Sequence, residues 1–117
     1  MNEVGKIYER PWGTYRTIEQ RDNYQLKHII VNPGKRLSLQ YHNHRDEHWT
    51  IIKGRATAQL DENIHELTVN DTLFIPKKSR HRITNNTDTN VEFIEIQIGD
   101  YLGENDIIRL EDDYGRT

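Results

Sequence analysis

The chain has 117 residues, of which 33% are hydrophobic and 30% are charged, and its formal net charge is -3. This length accommodates a single domain with one core. The 16 basic residues are scattered among 19 acidic residues, which argues against a nucleic-acid-binding surface. Cysteine is absent, so disulfides, thiolate metal ligands and a cysteine nucleophile are all excluded.

Neither end of the chain carries the pattern of a targeting or membrane segment. The N-terminal residues lack the apolar stretch of a secretory signal, and no stretch approaches the roughly 20 apolar residues that a membrane-spanning helix needs. We therefore expect a soluble, cytoplasmic protein that binds neither membranes nor nucleic acids. Its polar composition fits an all-β domain whose strands have one buried and one solvated face.

Short segments with strand-like patterns, separated by turn residues, make up most of the chain. A loop carrying Trp12 and Tyr15 comes first, and either residue could simply seal one end of a barrel. Strands are then predicted at residues 24–31, 37–44, 47–53, 55–60, 64–69, 72–75, 81–84 and 91–98. About nine to eleven short strands without a ten-residue helical pattern predict an all-β sandwich or barrel. We expect its core at residues 24–99 and a C-terminal arm at residues 100–117.

One predicted strand has an unusually polar face. Residues 37–44 alternate apolar side chains with polar ones, and the polar set is Ser38, Gln40, His42 and His44. The next carboxylate, Glu47, has the opposite parity. A tight turn or bulge at residues 45–46 would bring it onto the same face.

These polar residues have the chemistry and spacing of a metal site. Residues two apart on a strand point the same way, so Gln40 and His42 form a natural pair of ligands. Glu47 on the next strand and His81 on a distant one would complete the set. Two imidazoles, a carboxylate and an amide oxygen suit one divalent ion, with Zn²⁺ expected first and Mn²⁺, Co²⁺, Fe²⁺ or Ni²⁺ as alternatives. His44 would lie on the same face, free to contact a substrate.

The spacing of these residues resembles the two sequence motifs of the cupin family. The first motif reads Gly34-x5-Gln40-x-His42-x4-Glu47-x6-Gly54, with glutamine in place of the first histidine. The second reads Asn70-x5-Pro76-x4-His81-x3-Asn85, and Asn70 and Lys78 stand where the family has glycine. The resemblance implies that residues 1–117 form a single cupin domain, a jelly-roll β-barrel.

Longer segments are similar to the phosphomannose isomerase domain of the type II enzymes, where it follows a mannose-1-phosphate guanylyltransferase domain. These segments are RPWGTY, PGKRLSLQYHNHRDEHW, IPKKSRHRITN and EIQIGDYLGENDIIRLEDDYGR. The resemblance implies that the chain interconverts mannose 6-phosphate and fructose 6-phosphate through an enediolate, in the supply of GDP-mannose. Guanylyl transfer is not expected, because the chain has no counterpart of the nucleotidyltransferase domain.

The same resemblance assigns roles to individual residues. Arg45, His48, Arg109 and Arg116 occupy positions linked to isomerase activity, although strand parity points His48 away from Glu47. Glu95 is the leading candidate for the base that moves the proton, with His44 behind it. The predicted substrate-binding residues are Ser38, His44, Lys53 and Arg82.

The sugar phosphate is a dianion, and planar guanidinium groups grip phosphate at two points. Arg45, Arg82, Arg109, Arg116 and Lys53 are available for this contact, and the two arginines of the arm would make it a lid. Salt bridges within the arm are the alternative role for Arg109 and Arg116.

Two alternative functions stay open at this point. The first is another enzyme on the same scaffold, such as a metal-dependent epimerase or dioxygenase. The second is a non-catalytic sugar-binding domain. We also expect a homodimer, because a single-domain cupin exposes the edges of its sheets. The native metal, the sugar and a separate guanylyltransferase partner are left undetermined by the sequence.

Overall fold

The computed structural model describes residues 2–117, which form eleven β-strands. The strands are β1 (Ile7–Arg10), β2 (Gly13–Gln20), β3 (Tyr24–Val31), β4 (Leu39–Tyr41), β5 (Arg45–Lys53), β6 (Ala56–Leu60), β7 (Asn63–Leu67), β8 (Thr72–Ile75), β9 (His81–Thr84), β10 (Val91–Gly99) and β11 (Ile108–Glu111). They build a six-stranded sheet in the order β1-β2-β3-β10-β5-β8 and a five-stranded sheet in the order β11-β4-β9-β6-β7. The described residues contain no helix that could cross a membrane.

The prediction of an all-β domain is confirmed, and most strands lie where the alternation of polarity placed them. β3, β8 and β9 have the predicted bounds, while β5, β6, β7 and β10 differ from them by one or two residues at their ends. β1 and β2 extend the six-stranded sheet, and Trp12 and Tyr15 are buried in the core. The core therefore begins well before residue 24.

The largest difference concerns β4, which is three residues long rather than eight. The chain turns at Asn43 and His44, two residues earlier than expected, and β5 already begins at Arg45. The carboxylate of Asp106 accepts the backbone N–H groups of Asn43 and His44 at 3.0 and 2.9 Å. These two bonds replace the strand ladder, and their acceptor comes from a part of the chain more than 60 residues away.

The interior of the barrel changes character along its strands. Near one end of β10, Phe93 pairs with Ile29 of β3 and Ile51 of β5, and all three are buried apolar residues. Further along β10, Gln97 pairs with Gln25 and Glu47, which are also buried. The same inward face is therefore apolar at one end of the barrel and polar at the other, and the polar end holds the cavity described below.

The C-terminal arm packs against the barrel and does not extend into solvent. Its strand β11 pairs with β4 and so completes the five-stranded sheet. Arg82 donates to the carboxylate of Glu111 at 3.1 Å, and Arg36 donates to Asp113 at 2.7 Å. These contacts make the arm part of the fold.

The two residues that stand where the second cupin motif has glycine both adopt a left-handed backbone conformation. Asn70 has a φ of 76° and Lys78 a φ of 70°, the left-handed region that glycine adopts most easily. The N–H of Lys78 donates to the carbonyl of His42 at 2.7 Å. This bond ties the loop before β9 to the backbone of a predicted metal ligand.

Candidate active site and metal centre

Three of the predicted metal ligands meet inside the barrel. His42 follows β4, Glu47 lies on β5 and His81 begins β9, and all three side chains are buried. The Nε2 atom of His42 is 3.2 Å from Nε2 of His81 and 3.0 Å from Oε2 of Glu47. Nε2 of His81 is 3.6 Å from Oε1 of Glu47. The three ligand atoms all lie within 4.8 Å of one another, so the three side chains could hold one metal ion.

The hydrogen bonds of the two imidazoles fit a metal ion at this point. Nδ1 of His42 donates to the carbonyl of Asp106 at 2.8 Å, and Nδ1 of His81 donates to the carbonyl of Ser79 at 3.0 Å. A carbonyl can only accept, so each Nδ1 carries a proton, and in the neutral tautomer each Nε2 is left to bind a metal ion. A cation between these two nitrogens and the Glu47 carboxylate would interact favourably with all three ligand atoms at once.

Gln40 lies next to this cluster. Its Cα pairs with that of His81 on β9 and, on the other side, with that of Arg109 on β11. Residues paired across neighbouring strands share a face of the sheet, so Gln40 and Arg109 point inward with His81. All three line the same cavity. Gln40 thus lies on the inward face beside His81, and its role as a metal ligand stays a prediction.

The carboxylate of Glu47 is held in its ionised form. It accepts hydrogen bonds from Nε of Arg45 at 3.0 Å and from Nε1 of Trp49 at 3.1 Å. Burial alone would raise the pKa of Glu47, but His42 and Arg45 together hold that pKa well below its usual range. Burial lowers the pKa of His81, which favours the neutral imidazole that a metal needs.

A second buried carboxyl group, Glu95, shares the indole N–H of Trp49 with Glu47. It accepts a hydrogen bond from the same Trp49 Nε1 at 3.0 Å and another from Nε2 of Gln97 at 2.6 Å. Burial, followed by the charge of Glu47, raises the pKa of Glu95 to about 8. Two neighbouring carboxyl groups with pKa values pushed apart are the usual arrangement for a site that holds a charge on one and moves a proton with the other.

A cavity of about 210 Å³ opens beside the cluster, and all but three of the predicted site residues line it. The residues that it brings together are Ser38, Gln40, His42, Arg45, Glu47, His81, Arg82, Glu95, Arg109 and Arg116. Ser38 Oγ and Arg45 Nη1 are buried and have no hydrogen-bond partner within residues 2–117. Unpartnered buried donors are rare in folded proteins, and here they are available to a polar substrate.

The other three predicted residues lie away from the cavity. His48 points to the outer face of the six-stranded sheet, where its ring packs 4.8 Å from that of Phe74, because its parity is opposite to that of Glu47. His44 falls in the turn after β4 and is exposed, near Asp100. Lys53 is 65% exposed at the far end of β5. Their predicted contacts with a substrate in the cavity therefore need correction.

The cavity also has lining residues that the sequence analysis did not assign to the site. They are Asn2, Arg10, Tyr15, Lys27, Gln97, Glu104 and Ile107, among others. Lys27 is buried, with its ammonium group 2.7 Å from Glu104 and 4.8 Å from the ring centre of Tyr15. Its position could have been predicted, because strand alternation puts it on the same face as the apolar residues at 29 and 31.

The sequence matches the family described as mannose-6-phosphate isomerase C-terminal over residues 2–112. The chain belongs to this family. Members of the mannose-6-phosphate isomerase C-terminal family can form part of longer proteins, and the curated relatives of the chain are of that kind. The alginate biosynthesis protein AlgA of Pseudomonas putida is 50% identical over 108 residues, which cover 92% of this chain and 22% of that protein.

A mannose-1-phosphate guanylyltransferase of Escherichia coli is 42% identical over 116 residues, covering 99% of this chain and 24% of that protein. The chain thus spans about a quarter of the length of these relatives. Solved structures confirm the cupin fold of this family member. Oxalate decarboxylase from Bacillus subtilis has a TM-score of 0.80 at 19% identity, over 90% of this chain and 30% of that one. The cupin domain of Cnp3 from Schizosaccharomyces pombe has a TM-score of 0.75 at 9% identity, over 81% of this chain and 69% of that one.

Proposed function

We propose that the chain is a metal-dependent isomerase that interconverts mannose 6-phosphate and fructose 6-phosphate for GDP-mannose synthesis. The observation that carries the proposal is one cavity that contains the His42, Glu47 and His81 cluster together with the buried carboxyl group of Glu95. Membership of the mannose-6-phosphate isomerase C-terminal family supports the choice of reaction. The chain matches only part of its longer relatives. The proposal therefore requires that this part alone catalyses the isomerisation.

The reaction moves a proton between C1 and C2 of the open-chain sugar. A divalent ion held by His42, Glu47 and His81, with Gln40 beside them, would polarise the two sugar oxygens. Glu95 takes the proton from one carbon and returns it to the other, and its raised pKa suits a base that works near neutral pH. Hydrogen bonds from Trp49 and Gln97 hold this carboxyl group in one orientation.

The remaining polar groups of the cavity favour a sugar phosphate over other small substrates. Ser38 Oγ and Arg45 Nη1 lack partners within residues 2–117 and can bind sugar hydroxyls. Arg109 and Arg116 line the same cavity as the His42, Glu47 and His81 cluster, where their charge favours a phosphorylated substrate. An epimerase or dioxygenase acting on an uncharged substrate would have no use for this positive charge.

The test is a coupled assay with mannose 6-phosphate on protein freed of metal by chelation, with each divalent ion added back in turn. We expect turnover with at least one ion and none with the metal-free protein. Absence of turnover with every ion, in protein shown to be folded and metal-loaded, would overturn the proposal. A chain that still binds the sugar phosphate would then be a binding domain.

Two variants separate binding of the metal from binding of the substrate. His81→Ala should abolish metal binding while the fold survives, because the side chain contacts the other ligands directly. Arg116→Ala should retain the metal, because its guanidinium group is bound to Asp112 rather than to the cluster. It should raise KM, because Arg116 lines the cavity that would hold the substrate. Equal loss of metal in both variants would contradict this division of roles.

The proposal includes a cytoplasmic homodimer. Exposed strand edges support self-association, since β8 is the edge of the six-stranded sheet and carries the half-exposed Phe74. Sedimentation velocity at micromolar concentration should give the mass of two chains. A single species with the mass of one chain would remove this part of the proposal and leave the catalytic part unaffected.

A further inference from the structure

The basic side chains of the cavity differ in whether they have a carboxylate partner. Six of them line it: Arg10, Lys27, Arg45, Arg82, Arg109 and Arg116. Four are paired with carboxylates at 2.7–3.1 Å, as Lys27–Glu104, Arg45–Glu47, Arg82–Glu111 and Arg116–Asp112. Among residues 2–117, Arg10 and Arg109 have no carboxylate partner. The cavity therefore holds two positive charges without a partnering carboxylate.

Arg109 is well placed to bind an anion. It lies on β11 beside Gln40, and its Nε atom is buried without a hydrogen-bond partner in the described chain. Burial, followed by the charge of Arg116 and with a smaller contribution from Arg10, lowers the pKa of Arg109. An anion bound beside Arg109 would give this buried Nε atom a hydrogen-bond partner.

Arg10 is held near the mouth of the cavity by the hairpin that joins β1 and β2. Trp12 in this turn is buried in the core, and Gly13 lies so close to β3 that a Cβ there would be 1.9 Å from the carbonyl of Ile30. The guanidinium group of Arg10 donates to the hydroxyl of Tyr15 at 3.2 Å and lies 5.1 Å from its ring centre. The hairpin therefore has a tightly fixed position, and Arg10 lines the cavity as part of it.

We propose that Arg10 and Arg109 together form the phosphate-binding end of the cavity, so that Arg10 selects phosphorylated over unphosphorylated sugars. The proposal rests on the proposed function and names the residues that recognise its phosphate group. Two guanidinium groups match the two charges of a phosphate monoester, and each can donate two parallel hydrogen bonds to its oxygens. The sugar would then extend from this end towards the metal cluster.

The test uses the metal-loaded full chain and the variants Arg10→Gln and Arg109→Gln, with Arg55→Gln as a matched control. Arg55 is exposed and lies outside the cavity, so its loss removes one charge without touching the site. Calorimetric titration with inorganic phosphate measures binding without turnover, and titration with fructose 6-phosphate measures binding of the sugar phosphate at its isomerisation equilibrium. The coupled assay gives KM and kcat separately, and metal content and unfolding midpoint verify that each variant is folded and loaded.

We expect each cavity variant to weaken binding of phosphate and of fructose 6-phosphate by about 10- to 100-fold, the usual loss for a charged hydrogen bond. KM for mannose 6-phosphate should rise by a similar factor, with kcat changing far less, and Arg55→Gln should behave as the wild type. Arg10→Lys should restore part of the binding, because it keeps the charge without the planar fork.

The two proposals fail in different ways. Phosphate binding that depends on Arg10, in a chain that does not turn over mannose 6-phosphate, would support the phosphate site and overturn the isomerase function. Turnover with an unchanged KM and unchanged phosphate affinity in Arg10→Gln would overturn the phosphate site alone. Binding of fructose 6-phosphate weakened equally in Arg55→Gln would also overturn it, because the effect would then be one of overall charge.

Discussion

Replacement of Asp106 by asparagine should weaken metal binding even though Asp106 is not a ligand. Its carboxylate accepts the N–H groups of Asn43 and His44, and its backbone carbonyl accepts the Nδ1 proton of His42. The side chain is buried, and its two hydrogen bonds to the exposed turn are partly shielded from water. Asp106 thereby fixes both the turn that follows β4 and the orientation of one imidazole.

The size of the effect follows from these contacts. Asparagine can accept one of the two N–H groups, but its amide nitrogen faces the other and leaves that partly buried donor without its acceptor. The loss of a charged hydrogen bond together with an unsatisfied donor costs about 2–4 kcal/mol in the free energy of unfolding. Metal affinity should fall about 10- to 100-fold, the usual consequence of removing a group that orients a ligand.

Two measurements on the same protein check this reasoning. Denaturant unfolding of the metal-free protein gives the change in stability, and competition with a chromogenic chelator gives the metal affinity. Asp71→Asn is the matched control, because Asp71 accepts the N–H of Thr68 at 2.8 Å in an exposed turn far from the cluster along the chain. If Asp106→Asn is destabilised as expected but binds metal as tightly as the wild type, the coupling of the arm to the metal centre is refuted.

Three further predictions test other parts of the structure. Glu95→Gln should keep the metal and lower kcat about 10²- to 10⁴-fold, as for loss of a general base; an unchanged kcat would show that another group moves the proton. Lys78→Gly should raise the free energy of unfolding by about 0.5–1 kcal/mol, since a φ of 70° is strained for lysine, whereas the neighbouring control Lys77→Gly should lower it. The side-chain hydrogen bonds of Arg116 lower the pKa of Asp112 to about 2, below its pKa in the unfolded chain. Their stabilisation of the folded state, about 1–2 kcal/mol, is therefore complete above the unfolded-state pKa and is lost as pH falls towards 2. Asp112→Asn should therefore be less stable than the wild type in denaturant unfolding at pH 5, and a gap that persisted at pH 2 would contradict the assigned pKa.

Local pattern was sufficient for most of the strands and for the metal cluster. β3 could be predicted because its β-branched end meets a turn at residues 32–34, and β8 because it is bounded by a turn and by Pro76. The cluster could be predicted because motif spacing gives His42, Glu47 and His81 without knowledge of the path between them. The cupin resemblance was therefore sufficient to predict that His42, Glu47 and His81 lie together.

Contacts between distant parts of the chain could not be predicted from the local sequence pattern. The early end of β4 depends on Asp106, whose role cannot be read from its own neighbours. The buried polar residues Gln25 and Gln97 were missed for a related reason. When the inward face of one strand changes from apolar to polar residues, the sequence pattern assigns the polar residues to the solvent-exposed face. His44 was placed wrongly because parity was carried through a turn.

The pairing of β11 with β4 has a consequence for how the protein is made. A ribosome synthesises His42 long before Asp106, the residue that accepts the hydrogen bond from its Nδ1, and β11 follows later still. The metal ligands are thus all present in a nascent chain that cannot yet orient them. Metal captured at that stage would be bound by a looser and less selective set of ligands. In the proposed metalloenzyme, correct metal binding would therefore follow the emergence of residue 111, and a chain that ended before that point would contain every proposed ligand without the arm that orients them.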